Sequence, residues 1–187
     1  MNSAGAFFVR YRVRLGYPLA LAVLFFARPT PRSILCGALI GVGGLAVRAW
    51  AAGYLHKQEI LTVTGPYAYT RNPLYFGSAI LALGAAVASR SWISATILVL
   101  YFAVFYSIVM KKEENELRPR HRDGFDRYAA AVPLFFPRLI PARLGGVGGS
   151  GGAFSSAQYR KNHEWQAAVG YLLLLIVLVL IWRFRSF

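Results

Sequence analysis

The apolar positions of this chain fall into five blocks, separated by basic and Pro- or Gly-rich stretches. Residues 1–14 end in Arg10, Arg12 and Arg14, and an apolar run at 15–27 is stopped by Arg28-Pro29-Thr30-Pro31-Arg32. That run closes on Phe25-Phe26-Ala27, not on the small-x-small pattern of a cleaved leader, so it reads as a retained segment. It is short for a span, which needs about 20 residues. The second block, 33–54, carries Gly37 and Gly41 as a GxxxG pair, with Arg48 and Trp50 near its end, where an interfacial anchor is expected. Small residues also merely accompany membrane helices, so the pair alone does not fix a packing face. A polar connector follows, containing His56, Lys57, Gln58 and Glu59. Blocks 73–88 and 92–110 predict two helices joined by the tight Ser89-Arg90-Ser91 turn. Such an antiparallel hairpin returns its two polar ends to one side of the membrane.

Helical spacing continues past Met110, with Glu114 and Arg118 on the same face, until the turn signal Asp123-Gly124. Residues 125–131 predict one or two helical turns, and the Pro-punctuated apolar stretch 132–139 is expected along the interface. A Gly/Ser-rich linker at 145–158 leads to a last apolar run, 165–182, closed by Arg183 and Arg185. The expected organisation is a membrane core over 1–144, a linker over 145–160 and a C-terminal transmembrane helix over 161–187. The fold class is an all-α polytopic membrane helical bundle of about five transmembrane helices.

Composition supports a membrane protein: 57% of residues are hydrophobic, 15% are charged and the mean hydropathy is +0.46. A formal charge of +14 would suggest nucleic acid in a soluble protein. Here most basic residues flank apolar blocks, as positive-inside topology and anionic headgroups require, so membrane lipids are the expected partners and nucleic acid is not. With five spans, sixteen of the 21 Lys and Arg fall on one side, which is then cytoplasmic. The single cysteine, Cys36, excludes an intrachain disulfide, and His56, His121 and His163 lack metal-ligand spacing, so no metal is expected.

Two stretches carry candidate chemistry. In Gly65-Pro-Tyr-Ala-Tyr-Thr-Arg-Asn-Pro-Leu-Tyr-Phe-Gly-Ser78, Pro73 suits the first turn of an apolar helix. Arg71 and Asn72 then precede a helix N-terminus, whose free N–H groups can hold an anion. The same residues would also serve as an ordinary interfacial cap. The second stretch, Lys111-Lys-Glu-Glu-Asn-Glu116, holds three of the seven acidic residues, and by itself reads equally as a solvated helix end. The hairpin brings the two stretches to the same side.

Together these residues resemble the isoprenylcysteine carboxyl methyltransferase family, within the wider group that includes phospholipid N-methyltransferases. The resemblance covers residues 45–140 and rests on Leu61-Thr-Val-Thr-Gly-Pro-Tyr67, Arg71-Asn-Pro-Leu-Tyr-Phe-Gly77, the hairpin, Glu113-Glu114-x-x-Leu117, Tyr128, Val132-Pro133 and Pro137. It implies S-adenosyl-L-methionine held at the cytosolic face by Glu59, Leu61, Thr62, Tyr67, Asn72, Pro73, Tyr75 and Glu114, with Glu114 on the amino-acid end. Arg71 and Glu114 are the implied catalytic pair, and Arg71, Lys111 and Lys112 the acceptor's contacts. Three positions depart from the family pattern: Asn72 stands for its histidine, Phe125 for a tyrosine, and lysine for the arginine ahead of the carboxylates.

The function so implied is methylation of a lipid-like or prenyl-like acceptor, an amphipathic small molecule or lipidated chain presenting a carboxylate, in a bacterial inner membrane. The alternatives are a phospholipid amine N-methyltransferase and a non-enzymatic polytopic scaffold.

Overall fold

A computed structural model describes residues 16–56, 60–146 and 153–185; Arg10, Arg12 and Arg14, the candidate Glu59 and residues 147–152 of the Gly/Ser linker lie outside them. Every regular element described is helical: α1 (Gly16–Phe26), α2 (Pro31–Tyr54), a single 3-10 turn (Gly65–Ala68), α3 (Pro73–Ser89), α4 (Trp92–Ala131), α5 (Ser156–Lys161) and α6 (Trp165–Arg185). By length and composition α2, α4 and α6 can cross a membrane, which makes this an integral, polytopic, all-α membrane protein. The other two apolar helices are shorter. At 1.5 Å per residue the 17 residues of α3 extend about 25 Å, less than the roughly 30 Å of a hydrocarbon core. Three of the five expected spans are thus clear by this measure.

The chain divides into two compact units. The first comprises the described parts of Met1–Gly43, Ala79–Val109 and Ala168–Phe187. Its packing relies on small residues. A Cβ on Gly37 would come within 2.4 Å of the Gly84 carbonyl oxygen, so α2 and α3 touch backbone to backbone there. One turn on, Gly41 lies under the Tyr171 ring, whose hydroxyl donates to the Gly37 carbonyl at 2.8 Å. The GxxxG pair is therefore a contact surface. Ala27, Ala88 and Leu178 form its buried apolar cluster. The α3–α4 turn closes with Arg90 in the left-handed region (φ 48°). It is tied by the Arg28 N–H to the Ser89 carbonyl (2.8 Å) and by the Ser94 hydroxyl to the Val23 carbonyl (2.8 Å).

The second unit, Gly44–Ser78 with Met110–Ala167, contains every described candidate residue. Its core is Leu61, Val63, Phe125, Tyr128 and Val132. The helix that opens at Trp92 runs on to Ala131, breaking regular geometry at Arg122 (φ 39°, ψ −121°), just before Asp123-Gly124. Pro119, three residues earlier, weakens the same stretch, because it lacks an N–H and its ring crowds the carbonyl four residues back. A further helix, α5, opens inside the stretch expected to be linker. The Ser155 side chain caps it by accepting from the Gln158 N–H at 3.2 Å.

Candidate functional site

The first motif is built from its turn outward. Gly65 has φ 59°, and a Cβ there would sit 2.6 Å from the Tyr54 ring, so only glycine fits. The turn it opens buries Pro66, Tyr67 and Ala68. The chain then runs beside segment 133–142. Arg71 N–H donates to the Pro133 carbonyl, Arg138 N–H to Tyr69 and Ala142 N–H to Ala68, each at 2.9 Å. Two side chains reinforce this ribbon: the Thr70 hydroxyl donates to the Phe135 carbonyl (2.9 Å), and the Asn72 amide to the Leu134 carbonyl (3.0 Å). Asn72 at the family's histidine position is thus a neutral donor to backbone. Pro73, buried, begins α3 directly after it.

The two motifs meet as the hairpin requires. The Arg71 Nη1 and the Glu114 carboxylate form an ion pair, with side chains 15% and 25% exposed. Arg71 Nε is buried without a hydrogen-bond partner among the described residues. The Tyr75 hydroxyl donates to Glu113 Oε1 at 2.5 Å. Lys112 pairs along its own helix with Glu116 (3.5 Å), and Lys111 is exposed. Two of the three clustered carboxylates therefore engage the Arg71–Tyr75 segment, more than a merely solvated helix end would do.

Several candidates serve the scaffold. The Leu61 side chain lies in the unit's core. The buried Thr62 hydroxyl donates to the Tyr54 carbonyl (3.4 Å) and closes the end of α2. The Tyr128 hydroxyl donates to the Tyr67 carbonyl (2.8 Å), locking the last turns of α4 onto the first motif. Phe125 meets Tyr128 edge to face in the buried core, where a phenyl ring needs no polar partner. Burial holds the Tyr67 hydroxyl well above the ordinary tyrosine value, and Tyr128, Glu113, Glu164 and Tyr75 nearby push it the same way. It remains a neutral phenol.

One constellation escaped the sequence reading. Arg48 was expected as an interfacial anchor. Its Nε and Nη2 donate to Glu164 Oε2 at 3.0 and 2.7 Å, and its Nη1 to the Ser78 hydroxyl and the Leu74 carbonyl (3.4 Å). Gly77 admits the arginine stem, since a Cβ there would lie 2.6 Å from Arg48 Cγ. The only signals were an arginine inside an apolar block and an acid at the head of the last one. Among the described residues, no three His, Cys, Asp or Glu side chains gather so as to hold a metal ion.

The donor set suits S-adenosylmethionine. A half-buried carboxylate can take an ammonium, and a guanidinium with an orphaned nitrogen can take a carboxylate.

Comparison with known proteins agrees in class. The sequence profile of the phospholipid methyltransferase family matches residues 37–121, which hold Arg48, Arg71 and Glu114. The nickel-cobalt-cadmium resistance protein NccN of Alcaligenes xylosoxydans xylosoxydans is 34% identical over 147 residues, 72% of this chain and 68% of that protein. The cobalt-zinc-cadmium resistance protein CzcN of Cupriavidus metallidurans is 32% identical over 146 residues, 71% and 67% of the two chains. The protein-S-isoprenylcysteine O-methyltransferase of Schizosaccharomyces pombe is 34% identical over 86 residues, 46% of this chain and 36% of that one. No solved structure matches the chain.

Proposed function

This chain belongs to the membrane-associated methyltransferase family that embraces the phospholipid and isoprenylcysteine enzymes, and from that premise we propose what its site methylates and how. The class is a membrane-embedded, S-adenosylmethionine-dependent methyltransferase acting on a lipid-like substrate. Within it we assign a carboxylate on an amphipathic acceptor. The observation that carries the reading is the Arg71–Glu114 pair, which joins the two motifs and leaves Arg71 Nε without a partner.

S-adenosylmethionine, when bound, supplies an electrophilic sulfonium methyl group and presents an amino-acid end bearing an ammonium and a carboxylate. In the proposal Glu114 exchanges Arg71 for that ammonium. The released guanidinium of Arg71 grips the acceptor's carboxylate, and Lys111 and Lys112 on the same helix add positive charge at that end. The proposal assigns Leu61, Thr62, Tyr67, Asn72, Pro73 and Tyr75 to the cofactor as well, together with Glu59. A carboxylate is already ionised and needs no general base, so the residues' task is to hold the acceptor in line and exclude water.

The alternative acceptor is a phospholipid amine. It would draw on the Glu113 carboxylate beside Tyr75, which could receive the amine's proton. On the flanking charge, the site faces the cytoplasm of a bacterial inner membrane.

The test is methyl transfer from labelled S-adenosylmethionine to membrane extracts, followed by mild base. A methyl ester releases methanol and a methylated amine does not. Base-labile label is expected, and base-stable label overturns the carboxylate reading in favour of the amine. Two relatives are named for resistance to nickel, cobalt, zinc or cadmium. The extracts should therefore come from cells grown with and without those cations.

A further inference from the structure

Segment 133–142 gives its inner edge to the first motif and its outer edge to nothing in the described chain. Phe136, Leu139 and Ile140 are 76%, 99% and 72% exposed. This is not a loose loop, because its backbone pairs with Ala68, Tyr69 and Arg71 and receives the Thr70 and Asn72 side chains. The outward side chains are held out by that pairing. The Phe135 ring packs on Phe76, in the first turn of the apolar helix α3, at 5.8 Å, and on Phe136 at 5.2 Å. Trp50, near the end of α2, meets Tyr69 at 6.0 Å. Aromatic rings gathered at the ends of apolar helices mark headgroup depth. The charge is one-sided as well. From residue 127 to residue 163 the sequence holds five Arg or Lys and no acidic residue. Arg138 and Arg143 bracket the exposed Leu139 and Ile140; the Arg138 Nη1 donates to the Ala131 carbonyl (2.5 Å), and Arg143 makes no ion pair among the described residues.

From this we propose that the 136–143 tip is an anchor seated in the headgroup region of an anionic leaflet, with Phe136, Leu139 and Ile140 in the acyl boundary, Arg143 on a lipid phosphate and the charge of Arg138 beside it. An apolar tip ringed by one sign of charge, on a chain already in the bilayer, matches such a surface. A protein partner would instead be expected to offer mixed charge. The anchor lies outside residues 37–121, the part shared with the phospholipid methyltransferases. Because the same backbone holds Arg71 and Asn72, lipid contact steadies the motif as well as the tip.

The test uses the full chain with Cys36→Ser, spin-labelled through Leu139→Cys or, as the reference, through the exposed Asn115→Cys. It is reconstituted in vesicles of phosphatidylcholine alone or mixed with phosphatidylglycerol. The label at position 139 should show an oxygen-to-nickel-chelate collision ratio several-fold above that at 115, rising further with phosphatidylglycerol. Arg143→Gln should remove that rise. Equal ratios at both positions overturn the proposal, as does an immobilised label reached by neither collider, which would mean that a protein or a second copy covers the tip. Neither readout involves methyl transfer, so failure here leaves the acceptor reading standing, and the reverse holds too.

Discussion

Two arginine–glutamate pairs lie in the same unit, and they are built to opposite ends. Arg48 meets Glu164 through two nitrogens and spends the third on Leu74 and Ser78, with both side chains four-fifths or more buried. Arg71 meets Glu114 through one nitrogen and leaves Nε buried without a partner. A saturated pair holds helices, since any exchange of partner loses several hydrogen bonds together. An unsaturated one suits the receptor role proposed for it, because a ligand can satisfy both partners better than they satisfy each other.

The difference can be broken most forcefully at Glu164. Glu164→Ala strands a buried guanidinium and should cost about 3 kcal/mol or more of stability. It should lower the unfolding temperature in detergent while leaving S-adenosylmethionine affinity of the folded protein unchanged. Loss of affinity at full stability would make this pair part of the receptor and erase the contrast.

Glu114→Gln should act in the reverse sense. Cofactor affinity by calorimetry should fall by about 1.5–3 kcal/mol, the worth of a hydrogen bond to a charged group. The unfolding temperature should hardly move, since the wild-type pair is incompletely satisfied. Unaltered affinity would remove Glu114 from the cofactor site.

The smallest effect sharpens the picture beside the receptor. Tyr75→Phe removes one hydrogen bond to Glu113 and should cost about 0.5–1.5 kcal/mol, read as a modest rise in KM for the methyl donor. A collapse of kcat with KM unchanged would instead give the hydroxyl a part in the methyl-transfer step.

Much of this was legible in the residue order. Pro73, Trp92 and Trp165 each open the helix that the apolar pattern predicts. The three-residue turn at Ser89-Arg90-Ser91 foretells the meeting of Arg71 with Glu114, because an antiparallel hairpin leaves its far ends no other arrangement. What stayed hidden depends on partners remote in sequence. Arg48 looks like an interfacial anchor until Glu164 is beside it, and nothing local to either residue names the other. The small helix α5 was masked by glycines upstream, although Ser155-x-x-Gln158 is a capping signature that the composition of the linker outweighed. Of the five apolar blocks, α2, α4 and α6 are long enough to count as spans by length and composition, whereas α1 and α3 are apolar but shorter, and an apolar block declares its polarity more plainly than its path through a bilayer.

The Arg48–Glu164 lock also imposes a timetable on biosynthesis. Glu164 follows Arg48 by 116 residues, so at about 5–20 residues per second the nascent chain carries that guanidinium for roughly 6–23 s before its carboxylate is made. Leu74 and Ser78, only 26 and 30 residues behind Arg48, are its interim company. The ribosome therefore delivers the Arg71 and Glu114 motifs first and the clasp of their unit last, and a chain stalled between the two carries both motifs on an unfastened frame.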